Sequence, residues 1–168
     1  MANTLALIKR LHDGGVEFII IGGVAAIAYG GSTTTDDLDV CAPLSHENAI
    51  RIIRSLDDLH PRWRTRPDLP VIQADSPHLR NLKNMYLLTD LGKIDILSEL
   101  PGVCSCTELT RRCVEVDFEG TRCRMVDLET LIEAKRVANR DKDRATLKHL
   151  EVIKKHRDQN PGLFDDLQ

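Results

Sequence analysis

The chain has 168 residues, 29% of them charged and 4% aromatic, with a formal net charge of −3. That length allows a sizeable core and one domain, or one domain with a small helical appendage, and an aliphatic, aromatic-poor composition fits a soluble α/β protein. No apolar run reaches the ~20 residues of a membrane helix, and the Met1-Ala2-Asn3 start lacks a basic-then-apolar leader, so the expectation is a cytoplasmic protein with no membrane partner. Five cysteines, an odd number, fit reduced thiols better than a disulfide framework. The negative balance argues against bulk attraction to nucleic acid, yet residues 135–157 hold nine Lys/Arg against three Asp/Glu. That segment is either a solvated helix face or a surface for phosphates or an acidic partner.

Asn3 is placed to cap a first helix with Leu7, Ile8 and Leu11 as its apolar stripe and Gly14-Gly15 as its end. Glu17 to Ile21 shows no alternation and reads as a short buried strand. It runs into Gly22-Gly23 and a small-residue helix from Val24 to Ala28. A second Gly-Gly and the run Ser32-Thr33-Thr34-Thr35 lead to a strand in which Asp37 and Asp39 share one face, Leu38 and Val40 the other, until Pro43 stops it. Ser45 caps the next helix, where Ala49, Ile52, Ile53 and Leu56 recur at helical spacing and pack on the sheet. Leu59 to His78 is proline-rich and contains Arg62-Trp63-Arg64-Thr65-Arg66, either a loop with one anchoring Trp or a segment that stacks a base between phosphate-holding arginines.

Asn84 to Thr89 and Lys93 to Leu97 predict a hairpin around Asp90-Leu91-Gly92, with Ile94 and Ile96 on one face and Asp95 on the other. Gly102 to Arg112 reads as a loop or short helix, followed by a second hairpin, Cys113 to Phe118 and Thr121 to Val126, turning at Glu119-Gly120. Asp127 caps a helix to about Arg140 in which Lys135 shares a face with Leu128, Leu131 and Ile132. A last helix runs from Asp143 to His156 with Leu147, Leu150 and Ile153 inward. The expected organisation is a core over 1–126, a helical segment over 127–158 packed on it, and a flexible tail over 159–168.

Three features point to phosphate chemistry. Glycines after a strand let phosphates approach backbone N–H groups without meeting a Cβ. Two carboxylates at i, i+2 in a strand repel each other, and aspartate disfavours strands, so the pair makes sense mainly when divalent cations sit between them. Asp95, an acid between two isoleucines, is costly in a central strand unless a cation meets it, which makes it the natural third carboxylate. Lys135, at the end of an apolar stripe, either snorkels to water or holds a phosphate. Asp36 reads as solvated. Cys104, Cys106, Cys113 and Cys123 match no common zinc spacing, and the scattered histidines suggest no hydrolase arrangement.

These residues resemble the nucleotidyltransferase superfamily of the DNA polymerase beta fold. Ile21-Gly22-Gly23 opens its signature, residues 24–36 are a 13-residue spacer, Asp37-Leu38-Asp39-Val40 closes it, and Asp95 matches the third family acid. Gly22-Gly23-Val24-Ala25, Thr35-Asp36-Asp37-Leu38-Asp39, Leu131-Ile132-Glu133-Ala134-Lys135 and Arg140-Asp141-Lys142-Asp143 are similar to the small bacterial minimal nucleotidyltransferase and AbiEii toxin group. Where relatives often carry an arginine two residues before the motif threonine, this chain has Thr33.

The resemblance implies an α+β fold with a mixed, mostly antiparallel sheet flanked by helices and a C-terminal helical segment. It implies transfer of an NMP from an NTP, ATP or CTP, to a hydroxyl of a protein or RNA, within a toxin–antitoxin pair in some relatives. Asp37, Asp39 and Asp95 would be catalytic and would ligate two Mg2+ ions, with Mn2+ as a substitute. Gly22, Gly23, Ser32 and Lys135 would bind the nucleotide, with Thr35, Arg140 and Asp143 in support; Arg140 and Asp143 serve equally well as a structural pin for the last helix. The alternative is a module that keeps the fold, lacks activity and holds a partner protein, a cognate toxin or antitoxin, or RNA.

Overall fold

The computed structural model describes residues 2–160. In chain order the elements are α1 (Ala2–Asp13), β1 (Ile19–Ile20), α2 (Gly22–Ala28), β2 (Asp37–Cys41), α3 (His46–Ser55), β3 (Arg62–Trp63), β4 (Asn84–Thr89) and β5 (Gly92–Leu97). A small two-stranded sheet, β6 (Glu99–Leu100) and β7 (Cys104–Ser105), precedes α4 (Cys106–Leu109). The chain then forms β8 (Cys113–Phe118), β9 (Thr121–Val126), α5 (Leu128–Ala138) and α6 (Asp141–Gln159).

Alternation along the central strands decides the two faces of the main sheet. Leu38, Val40, Ile94 and Ile96 point to one side and are at most 1% exposed, while Asp37, Asp39 and Asp95 point to the other. Among the described residues this sheet has seven strands in the order β3-β4-β5-β2-β1-β9-β8. β2 runs parallel to β5 and β1 parallel to β9, and the remaining neighbours are antiparallel. The result is the expected α+β architecture, a mixed, mostly antiparallel sheet flanked by helices.

The apolar face is covered by α1, through Leu7, Ile8 and Leu11, and by α3, through Ala49, Ile52, Ile53 and Leu56, all buried. A fully buried aliphatic side chain contributes about 1.5–3 kcal/mol, so this layer anchors the fold and leaves the opposite face free to carry charge. Ser45 Oγ accepts from the Asn48 N–H at the start of α3, and Asp127 Oδ1 from the Thr130 N–H at the start of α5.

Four local expectations need correction. Asn3 lies inside α1 instead of capping it. The strand expected from Glu17 shortens to Ile19–Ile20 because the buried Asn48 amide takes both backbone groups of Glu17, accepting from its N–H at 3.2 Å and donating to its C=O at 3.1 Å. The stretch 102–112 holds β7 as well as a short helix, and α6 starts at Asp141, with Arg140 as its N-terminal flank. From residue 161 onward the expected tail lies outside the described residues.

Candidate active site

The polar face of the sheet forms the floor of a cleft of about 760 Å³, with α5 and the start of α6 as its far wall. The chain enters it at Gly22, whose φ of +67° a Cβ-bearing residue adopts only with strain. A Cβ on Gly22 would fall 2.1 Å from Asp39 Oδ2, and one on Gly23 would fall 2.7 Å from Thr35 Cβ. Both glycines are therefore required by the acid and the threonine they abut, before any phosphate is considered. Gly23 N–H donates to Asp39 Oδ2 at 3.4 Å, and Thr35 Oγ1 donates to the Asp37 carbonyl at 2.9 Å, fixing the entry to β2.

Parallel pairing of β2 and β5 sets Asp39 directly beside Asp95, and Asp37 beside Lys93. Burial raises the Asp39 carboxyl above the ordinary carboxylate range; the Gly23 N–H opposes this, and the neighbouring Asp95 and Asp37 charges push it further up. Three acids on one sheet face need compensating charge, and the chain supplies it. Arg64 Nη2 lies 2.8 Å from both oxygens of Asp95, and Nη1 lies 3.7 Å from Asp37 Oδ2. Lys93 Nζ lies 3.5 Å from Asp37 Oδ1. The Arg64 N–H is aligned only with Asp95 Oδ2, so Asp95 Oδ1 is buried with no hydrogen-bond partner among the described residues.

On the facing wall, Lys135 Nζ donates to Asp143 Oδ1 at 2.8 Å, with side chains 14% and 4% exposed. Asp143 Oδ2 is buried without a partner among the described residues. Exposed ion pairs elsewhere in the chain contribute about 0–1 kcal/mol each. Lys135 with Asp143 is shielded from water, whereas Arg64 with Asp95, at 31% and 18% exposed, is only partly covered.

Of the residues expected at the site, Gly22, Gly23, Thr35, Asp37, Asp39, Asp95, Lys135, Arg140 and Asp143 line this one cleft. Ser32 is exposed and off the cleft wall, where Thr33, Thr34 and Thr35 stand instead. Lys135 turns to Asp143, so its ammonium is engaged within the protein, and Asp36 is exposed.

The three acids share the cleft without closing on a common point: no group of three or more His, Cys, Asp or Glu side chains among the described residues is gathered to hold a metal. The donor set itself, all carboxylate, has the hard-oxygen chemistry of Mg2+ or Mn2+.

Arg64 belongs to the Arg62–Arg66 run that the sequence offers as a phosphate-holding segment, and in the structure it meets the acids instead. Its side chain reaches the site because Trp63 packs into the core and the Arg64 N–H donates to the Tyr86 carbonyl at 2.8 Å, continuing the pairing of β3 with β4. The guanidinium also lies over the Tyr86 ring, 5.6 Å from its centroid. The available signal was the two-residue alternation of Arg62-Trp63-Arg64, a strand pattern masked by the surrounding prolines. All five cysteines are free. No helix among the described residues is long and apolar enough to cross a membrane.

No family model matches the chain, and no curated protein does either. Solved structures do. A candidate nucleotidyltransferase from Thermotoga maritima is similar at 15% identity and a TM-score of 0.52, over 92% of this chain and 90% of that one. The ANT(2'')-Ia complex with adenylyl-2''-tobramycin is similar at 14% identity and a TM-score of 0.52, over 93% and 95% of the two chains. The solution structure of the antibiotic-resistance factor ANT(2'')-Ia gives 17% identity and a TM-score of 0.51, over 96% and 94%. At this distance in sequence the likeness shows a common fold, nearly end to end.

Proposed function

We propose that the protein is a metal-dependent nucleotidyltransferase that moves an NMP from an NTP to an acceptor hydroxyl. The observation that carries this reading is Asp39 held beside Asp95, with Asp37 on the same face, next to the Gly22-Gly23 backbone in one cleft. The nucleotidyltransferase fold of the similar structures supports it.

Asp37, Asp39 and Asp95 would hold the divalent cations, Mg2+ or Mn2+. Bound there, the cations supply activation of the acceptor oxygen, alignment of the α-phosphorus and neutralisation of the departing pyrophosphate. Gly22 and Gly23 line the cleft beside Asp39, where the triphosphate would approach their backbone. Asp95 would take the acceptor proton as the acceptor oxygen bonds to phosphorus and pyrophosphate leaves, which requires Arg64, 2.8 Å from both its oxygens, to move aside. Lys135 lies close enough to Asp39 to stabilise its charge and is positioned by Asp143. The acceptor in this reading is a hydroxyl of a protein or RNA, and the basic stretch 135–157 beside the cleft favours an anionic macromolecule. A cognate toxin or antitoxin protein is the partner that the family resemblance suggests.

One observation favours a second acceptor class. Asp143 adds a further acid to the cleft wall, and its Oδ2 is unpartnered among the described residues. The complex of the similar ANT(2'')-Ia contains adenylylated tobramycin. A small amino sugar would offer an ammonium group to that acid.

Thermal denaturation with ATP, CTP or GTP, each with and without Mg2+, tests the proposal. A nucleotide at 100 times its Kd stabilises by about 2.7 kcal/mol, which raises the Tm of a chain this size by several degrees. The expected shift requires nucleotide and Mg2+ together. The absence of any Mg2+-dependent shift would overturn the reading in favour of a fold used only for binding a partner.

A further inference from the structure

The acidic face is not left to repel itself. Arg64 lies between two of its three carboxylates, with one guanidinium nitrogen 2.8 Å from each oxygen of Asp95 and the other 3.7 Å from Asp37. The guanidinium is a fixed positive charge with five N–H donors and no acceptor. A divalent cation bound by the same oxygens would sit within a few ångströms of the guanidinium, where two positive charges repel strongly. The two occupants therefore exclude each other.

The surroundings of Arg64 allow it to move without loss of the fold. Its backbone is tied by the N–H bond to Tyr86 and by the partly buried Trp63 beside it, both independent of the guanidinium. The side chain itself is 31% exposed, and the next residues, Thr65 and Arg66, are exposed. The Tyr86 ring under the guanidinium offers a face along which it can slide off the carboxylates.

We propose that Arg64 is the resident counter-ion of the acidic face, bridging Asp95 and Asp37 in the cation-free protein and competing with the divalent cation for them, so that cation binding and displacement of Arg64 are one linked step. This rests on the metal-dependent reading above. Arg64 is a positioning residue: it holds the acids in place before the cation arrives and sets the cation concentration at which the site fills. Linkage makes the competition reciprocal, so removing the guanidinium must tighten cation binding.

The test uses the full chain as wild type, Arg64→Gln, Arg64→Lys and Asp95→Asn, with free Mn2+ quantified by electron paramagnetic resonance in the absence of nucleotide. Arg64→Gln is expected to bind Mn2+ more tightly than wild type, by roughly 5- to 150-fold, the usual range for coupled sites. Arg64→Lys, which keeps a charge but not the two-pronged contact, is expected to fall between them, and Asp95→Asn to bind more weakly than wild type. In EDTA, Arg64→Gln should melt below wild type, and saturating Mn2+ should close the gap. Equal or weaker Mn2+ binding by Arg64→Gln, with wild-type binding intact, overturns the role of Arg64 and leaves the metal-dependent reading standing. If neither protein binds Mn2+, that reading falls and the inference with it. A measurement on unaltered protein guards against a misfolded variant: the Arg64 Nε–H resonance should move in step with Mg2+ saturation, and an unmoved resonance at saturation overturns the inference.

Discussion

Gly22→Ala tests the joint between the glycine turn and the acidic face, and Gly15→Ala provides an internal control. Gly15 and Gly22 have nearly the same φ, +65° and +67°, but a Cβ on Gly15 meets nothing within 4 Å whereas one on Gly22 meets Asp39 Oδ2, Cβ and Cγ at 2.1, 2.6 and 2.7 Å. Both variants incur the cost of a left-handed backbone, about 1–2 kcal/mol. Only Gly22→Ala adds a steric conflict, at about 1–3 kcal/mol for an overpacked site. Asp39 is fixed by β2 and cannot withdraw as the end of a long side chain would, so its carboxylate must rotate away from Gly23. Urea denaturation should show Gly15→Ala lower by about 1–2 kcal/mol and Gly22→Ala lower by about 2–5 kcal/mol. Mn2+ binding should be weakened in Gly22→Ala alone. Equal losses in the two variants, with Mn2+ binding unchanged, would refute the reasoning that Gly22 exists to admit Asp39.

Two further outcomes follow from the charges in the cleft. Because Asp39 is raised above its ordinary value, its ionised form is favoured in the unfolded chain, so stability in EDTA is lost as pH climbs through the raised value and is regained below the ordinary aspartate pKa of about 4. Asp39→Asn should therefore melt at or above wild type at neutral pH in EDTA, lose that advantage in acid, and show no stabilisation by Mn2+; a lower melting temperature at neutral pH would contradict this. Lys135→Ala leaves Asp143, 3% exposed, without its cation. It should cost about 3 kcal/mol, the low end for breaking a buried pair, while the double substitution Lys135→Met/Asp143→Leu should cost less than Lys135→Ala alone in urea denaturation. Additive losses would show that the pair is not coupled.

The central strands were legible because their residues alternate and their faces differ in chemistry: Leu38 and Val40 against Asp37 and Asp39, Ile94 and Ile96 against Asp95. The second hairpin is equally plain, with Glu119-Gly120 between two strand-like runs, and both residues take positive φ at its turn. What sequence could not convey was tertiary. Asn48 curtails β1 by taking the backbone of a residue 31 positions away, and nothing local announces it. The register of β3 on β4, which carries Arg64 to the acids, depends on Trp63 finding the core across a proline-rich stretch. Lys135 is out of place on its apolar stripe, but its partner, Asp143, lies across the turn between α5 and α6, and only that packing decides whether the ammonium faces a phosphate or a carboxylate.

Nucleotidyl transfer itself is tested most directly with α-labelled ATP, CTP, GTP and UTP, each incubated with Mg2+, the protein and either cell extract or a panel of amino sugars. The expected result is label covalently attached to a macromolecule or a small-molecule acceptor, with release of pyrophosphate, and its loss in the Asp37→Asn/Asp39→Asn variant. No labelled product from any nucleotide, or equal labelling by that variant, would contradict it.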